Sequence, residues 1–468
     1  MNSLLSSAPR QRPPLDPDFR PAVLWNRQYR QLVAADRASR PLVLALVREV
    51  GSVSLHHDRV LSAGHPAAVL TLTYVERLLK FLLWQKGAAR VFVAGADELV
   101  ESLAAIYSAG GARAFDQELI GGRIYRQSFG VKGCAPEALP VATEMELSLG
   151  RHLEGCRIGF DLGGSDRKAA ALIDGRVVYS EEIAWSPYFQ SDPRYHLDGV
   201  QDSLRRAAAH LPRVDAIGGS AAGTYVNNEV RAASLFRGVP PDRFESDIRG
   251  MFFTLQKAWG GIPFDVANDG EVTALAGSMW LRDNAVLGIA MGTSLAAGYV
   301  TPEGSITPWL NELAFAPVDY RPDAPRDEWS GDVGCGVQYF SQQGVARLAR
   351  VAGFDFPPEL GMPEQLVAVQ SAMKSGDARA RAIYETIGVY LGYTVAHFAD
   401  FYAMRHLLLL GRVTTGTGGE LMLERARQVL REEFQELAEA IGFHTPSEQE
   451  KRHGQAVAAA SLPSLKKA

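Results

Sequence analysis

This sequence predicts an α/β fold in which one plan is used twice, giving two lobes, with a further α/β region ahead of them. Two glycine-tipped hairpins predict the duplication. Strand, Gly163-Gly164-Ser165 and strand occur in one half; strand, Gly292-Thr293-Ser294 and strand occur in the other. From Arg157 onward, short apolar strands alternate with segments of helical spacing, the texture of a sheet with helices packed on it. A chain of 468 residues has room for two to four domains of roughly 100–200 residues each.

Composition narrows the class. Hydrophobic residues at 47% and charged residues at 22% form an ordinary globular balance, which excludes disorder over most of the chain. With 48 basic and 53 acidic residues the formal charge is −5, so no field for a polyanion is implied and no nucleic-acid partner is expected. The 45 glycines show no collagen period and no low-complexity run, so they are expected at tight turns and close backbone approaches. Cys134, Cys156 and Cys335 are too few and too scattered for a disulfide framework, which points to a reducing compartment. The N-terminus lacks the long apolar core of a signal peptide, and no stretch reaches the roughly 20 apolar residues of a membrane span. A cytoplasmic protein without a membrane partner is therefore expected.

The elements follow in order. Residues 1–40, rich in Arg and Pro, read as an arm lying on the surface. Residues 41–150 read as an α/β domain of open role. PLVLALVREVGSVSLHHDRVLS gives two strands, with His56 and His57 in a turn facing solvent. TYVERLLKFLLWQKG gives a helix that stops at Gly87, ARVFVAGA a buried strand, and ADELVESLAAIYSAGG a helix. That order faintly echoes half of the plan used in the lobes. A linking helix or loop falls near 135–157. The first lobe is then placed at 151–283 and the second at 284–468.

Four motifs carry chemistry. In RIGFDLGGSDRKAAALIDGRVVY, the Gly163-Gly164-Ser165 tip offers backbone N–H groups and a hydroxyl to a phosphate. Asp161, at the strand's end, is placed to hold Mg²⁺ through water, and Lys168 adds a positive charge. In IPFDVANDGEVTALAGSMW, Asn268-Asp269 ends a strand where a helix begins, and a carboxylate there can accept a proton from a substrate hydroxyl. VLGIAMGTSLAAGYV repeats the first hairpin, with Gly292, Thr293 and Ser294 at its tip and small residues to Gly298. HLLLLGRVTTGTGGELMLERARQVL runs a buried strand into Gly411 and a Thr/Gly loop containing Gly418 and Gly419, with a helix from about Glu420. Taken singly, each motif also fits an ordinary turn or helix cap. Two matching hairpins are more specific than either alone.

In this order the motifs resemble the sugar kinase/actin superfamily, and within it the ROK family of sugar kinases and related repressors, over about residues 157–468. The resemblance implies a two-lobed, duplicated ribonuclease-H-like (actin/hexokinase-type) fold. It also implies ATP and Mg²⁺ as cofactors. Asp161 to Lys168 looks like the family's first phosphate motif, and Ser220-Ala-Ala-Gly-Thr224 like the small turn that follows it. Asn268-Asp269 matches the pair whose Asp is the catalytic base, with Asn268 beside the substrate. Met291 through Gly298 matches the second phosphate motif, Gly411 to Gly419 the adenosine contact, and GQAVAAASLP the closing helix.

The departures from that pattern are equally informative. The family's Cys-rich zinc motif keeps only Cys335, and Phe315 stands where its His would. One thiol cannot build a four-ligand zinc site, so no zinc is expected. Val337 and Ala267 replace two family Glu residues, which leaves Glu312 as the candidate sugar ligand. The expected activity is ATP-dependent phosphorylation of a hydroxyl on a sugar or polyol, with Asp269 as general base. The alternative is a weakened or non-catalytic nucleotide- or sugar-binding protein with a regulatory role. An operator-binding role is disfavoured, because the apolar 73–87 helix makes a poor recognition helix. A homo-oligomer, such as a dimer, is expected from the resemblance.

Overall fold

The computed structural model of the chain describes residues 8–48, 52–143, 150–446 and 448–465. Residues 144–149 of the expected link near 135–157 lie outside the described residues. The chain opens with α1 (Ala22–Ala35), β1 (Arg40–Val47), β2 (Val53–Val60), α2 (Thr71–Lys86), β3 (Arg90–Ala94) and α3 (Val100–Ile106). A single turn, α4 (Ala114–Asp116), widens into a looser coil over Gln117–Tyr125 before β4 (Gly130–Gly133). These strands form one sheet in the order β2-β1-β3-β4.

The next sheet has the order β11-β8-β5-β6-β7. Its elements are β5 (Cys156–Leu162), β6 (Asp166–Ile173), β7 (Arg176–Ala184), α5 (Pro193–Ala208) and β8 (Ala216–Ala221). After these come a small hairpin of β9 (Thr224–Val226) and β10 (Glu229–Ala232), α6 (Pro241–Arg243), α7 (Met251–Ala258), β11 (Phe264–Asn268) and α8 (Asp269–Leu281). Strands β5, β6 and β7 form an antiparallel meander, while β8 and β11 run parallel to β5.

The last sheet repeats this plan. Strands β12 (Val286–Met291) and β13 (Leu295–Val300) form the antiparallel hairpin. Helices α9 (Gln342–Val351), α10 (Met362–Lys374) and α11 (Ala378–Phe398) lead to β14 (His406–Leu410), parallel to β12. Then come α12 (Gly416–Glu433), α13 (Gln435–Ala440), β15 (Gly442–His444), parallel to β14, and α14 (Glu448–Ala460). A single bridge, Val300 to Ile306, stands where the first lobe has its third meander strand. The duplicated two-lobed α/β fold expected from the sequence is therefore present.

Three local expectations differ from the structure. The N-terminal sheet is not a third copy of the plan: β3 returns antiparallel to β1, whereas β8 and β14 return parallel to β5 and β12. His56 and His57 lie within β2, because β1 and β2 pair continuously from Arg40↔Val60 to Val47↔Val53. From residue 8 to residue 40 the Arg/Pro-rich start is not a surface arm. Val23, Trp25, Tyr29 and Val33 of α1 are buried, and the Ala22 N–H donates to the Val318 carbonyl at 3.0 Å. Burial of that apolar stripe outweighs the polar composition around it.

The region ahead of the lobes shares a core with the second lobe: Leu46, Phe81 and Trp84 cluster with Phe315, Tyr390 and Phe398. The first lobe has its own core around Phe160, Phe252 and Phe264. Between the two sheets, α8 packs on β12 and β13, and α14 returns from the chain's end to β5, β6 and β8. Gly159 and Gly218 admit α14, since a Cβ at either would overlap the carbonyl oxygens of Ala456 and Ala459. Among the described residues, no helix is long and apolar enough to cross a membrane.

Candidate active site

Three parallel strands of the first lobe end level with one another. Asp161 on β5 pairs with Ser220 on β8, and Ser220 with Ala267 on β11. Polar groups at such strand ends gather at one edge of an open α/β sheet, where ligands bind. Here they form a chain. The Ser220 hydroxyl donates to Asp161 Oδ1 at 2.7 Å. The Gln455 amide, from α14, donates to Ser220 Oγ at 3.1 Å and to the Asp269 carbonyl at 3.4 Å.

Asp161 is buried, and burial pushes its carboxyl up to about 6 against the opposing pull of Ser220 and Lys168. The Lys168 ammonium lies 3.9 Å from Asp161 and 3.1 Å from Asp166. The Asp161 and Asp166 carboxylates could hold a hydrated Mg²⁺, with the Lys168 ammonium left to face a phosphate beside it.

Asn268 caps α8. Its Oδ1 accepts from the Gly270 N–H at 2.7 Å, and its Nδ2 donates to the Gly223 carbonyl at 2.6 Å. This side chain therefore ties the helix start to the Ser220–Thr224 turn. Asp269 is the first residue of α8 and accepts from the Gly270 N–H at 3.0 Å. Burial raises its pKa, partly offset by backbone N–H groups. Gly298 backs this turn, because a Cβ there would overlap the Gly270 carbonyl.

Glu312, from the second lobe, is hydrogen-bonded by Thr224 of the first. Burial and the charge of Asp269 push it up to about 7. Glu271 joins the same group: burial pushes it up to about 8, with Glu312 adding to the shift and Asn311 opposing it. Sequence reading missed Glu271. An acid in the first turn of a helix reads as a partner for the helix dipole, and only the fold brings Asn311 and Glu312 against it.

The hairpin tips are less enclosed. The Gly163 N–H donates to the Asp166 carbonyl at 2.9 Å, and Trp185 Nε1 donates to the Gly163 carbonyl at 2.7 Å. Gly164 lies against the Tyr188 hydroxyl, and Ser165 is exposed. In the second tip Thr293 and Ser294 are exposed, and the Gln342 N–H donates to the Gly292 carbonyl at 2.9 Å. Gly411 has φ +94° and sits against Met291, so the start of the Thr/Gly loop lies beside the second hairpin. Helix α12 begins at Gly416 rather than near Glu420. Gly418 and Gly419 are therefore buried in its first turn, against the Tyr384 ring and the Thr414 carbonyl.

Around Cys335 the chemistry opposes a cation. The thiol lies 3.6 Å from Asp332 Oδ2, and that carboxylate is already paired with Lys80, Arg77 and Arg113. Phe315 packs on the Trp84 ring at 4.5 Å. These residues do not form a four-donor zinc set.

No protein-family model matches the chain. A curated glucokinase of Halalkalibacterium halodurans is 26% identical over 294 residues, covering 58% of this chain and 84% of that protein. Among solved structures, a ROK hexokinase from Thermus thermophilus has a TM-score of 0.51 at 20% identity, over 65% of this chain and 97% of that one. A ROK family transcriptional regulator, a homolog of the E. coli MLC protein, has a TM-score of 0.51 at 18% identity, over 66% and 79%. At these identities the two structural likenesses establish a shared fold.

Proposed function

We propose that this chain, a divergent relative of the ROK sugar kinases, transfers the γ-phosphoryl group of ATP to a hydroxyl of a sugar or polyol. The observation that carries the reading is Asp269. It stands at the first turn of α8, between the sheets, joined through Gln455 and Ser220 to Asp161. The glucokinase relative supports the substrate class.

In this reading Asp269 accepts the hydroxyl proton as the substrate oxygen bonds to the γ-phosphorus and the bond to ADP breaks. Its raised pKa makes it a better base than an exposed carboxylate. Glu312 and Asn268 orient the substrate. The tips at Gly163, Gly164 and Ser165 and at Gly292, Thr293 and Ser294 receive the phosphates, and Lys168 balances their charge. Gly298, Gly418 and Gly419 keep α8 and α12 close behind these tips, and Gly411, packed on Met291, sets the start of the loop that would meet the adenosine. Mg²⁺, held through water by Asp161, would neutralise charge on the β- and γ-phosphates. No zinc takes part. A homodimer belongs to the same proposal and is tested by sedimentation.

The decisive experiment is ADP release with ATP–Mg²⁺ across a panel of hexoses, hexosamines and polyols. Turnover of one of them supports the reading. ATP binding by calorimetry with no turnover across the panel favours the regulatory alternative, which draws on Ala267 and Val337 at two family Glu positions and on the regulator's equal TM-score.

A further inference from the structure

We propose that the region ahead of the two lobes is a positioning device for Glu312, working through the carboxyl end of α2, with the buried Lys80–Asp332 pair as its joint. This rests on the reading of Glu312 as a substrate ligand.

Within the turn that carries Glu312, the Asn311 and Glu312 carbonyls accept from the Leu313 and Phe315 N–H groups at 3.0 and 3.2 Å, while the N–H groups of Asn311 and Glu312 point out of the turn to α2. Asn311 has φ +50°, a left-handed conformation that asparagine tolerates and that contacts from outside the turn select here. Those contacts come from α2. The Asn311 N–H donates to the Gln85 carbonyl and the Glu312 N–H to the Trp84 carbonyl, both at 2.9 Å. These carbonyls belong to the last turn of α2, where a helix has no internal donors left to offer. Each side thus satisfies the other's orphan backbone groups. The Asn311 side chain is fixed as well, since Oδ1 accepts from the Tyr402 hydroxyl at 2.9 Å.

One turn earlier, α2 grips the far end of the same loop. Lys80 is fully buried, and its ammonium lies 2.7 Å from Asp116 and 3.0 Å from Asp332. Four residues on, and so on the same helix face, Trp84 donates from Nε1 to Asp116 at 3.2 Å and packs its ring on Phe315. The loop is therefore held at residues 311–312 by backbone, at 315 by a ring and at 332 by a charge. A shift of α2 along its axis would carry the Glu312 backbone with it. Lys80, Trp84 and Asp332 act on the substrate through Glu312, and are positioning residues.

The test is hydrogen exchange on the full-length chain with Asp332→Asn, which keeps the side chain's shape and weakens the ionic joint. Peptides spanning 308–316 should exchange about tenfold faster, while those spanning 264–275, which carry Asp269, stay as in the parent. Trp84→Phe, which keeps an aromatic ring on Phe315 but trims the indole and removes its hydrogen bond to Asp116, should give a smaller change of the same kind and serves if Asp332→Asn does not fold. On whichever sugar the parent turns over, both variants should raise the sugar KM and leave kcat and the ATP KM within about twofold. A merely structural role would lower the folded fraction without that split. Unchanged protection of 308–316 in folded variants overturns the proposal. Lost protection with an unchanged sugar KM leaves the coupling standing and sinks Glu312 as a substrate ligand; lost protection in a protein whose parent turns over no sugar leaves the coupling standing and sinks the kinase reading.

Discussion

The Ser220 hydroxyl donates to Asp161 Oδ1 at 2.7 Å across two parallel strands, joining the small-residue turn of β8 to the strand that ends in the first glycine hairpin. Asp161 is pushed up to about 6 by burial, and this bond is what opposes burial most. A carboxylate that must be charged to hold hydrated Mg²⁺ loses that role as pH falls through 6. The kcat/KM for ATP should therefore fall on the acid side near pH 6. Ser220→Ala removes the bond that favours the charged form, so the acid limb should move to higher pH. A pH–rate profile checks this, and an unmoved limb would remove Asp161 from the nucleotide site.

Asp269→Asn keeps the shape at the start of α8 and abolishes the base. Turnover should drop by about 10²–10⁴, the usual worth of a positioned general base. ATP affinity by calorimetry should stay within about twofold, because Asn268 and not Asp269 caps the helix. A variant with parental turnover would disprove the assignment.

Glu271, pushed up to about 8 by burial, makes stability depend on pH. The folded state keeps a proton that the unfolded chain releases near 4.5, so stability is lost as pH rises from there through 8. Glu271→Gln carries no charge at any pH. Its advantage over the parent should grow between pH 5 and pH 9, each unit of displacement being worth about 1.4 kcal/mol. Urea melts at the two pH values decide it; a constant difference would mean that Glu271 is solvated.

Gly218→Ala should unseat α14, because the new methyl would overlap the Ala459 carbonyl. Overpacking of this kind costs about 1–3 kcal/mol, read as a lower melting temperature. Activity should fall further than folding does, since Gln455 on α14 links Ser220 to Asp269. Parental activity in the folded variant would show that α14 does not reach the site.

Much of this site was legible in the chain. The hairpin tips stand out because glycine and serine interrupt a period-two apolar pattern, and Asn268-Asp269 because a strand ends there as a helix begins. The start of α12 was misplaced because Thr415 to Gly419 has the composition of a loop. Gly418 and Gly419 are there because Tyr384 and Thr414 leave no room for a side chain, whereas Gly416 has open space and φ +70°. Composition cannot distinguish a glycine needed for freedom from one needed for closeness.

The sequence by itself determined the duplicated α/β plan, the two hairpins and the Asn-Asp helix start. All of these are written in neighbouring residues. The tertiary structure alone decided that α1 is core, that Glu271 and Glu312 come within reach of each other's charge, and that α2 holds the turn bearing Glu312. Each of these joins residues far apart in the chain. Local periodicity reports which face of an element is apolar, but not what will cover it. The backbone carbonyls of Trp84 and Gln85, which fix Asn311 and Glu312, carry no side-chain signature at all.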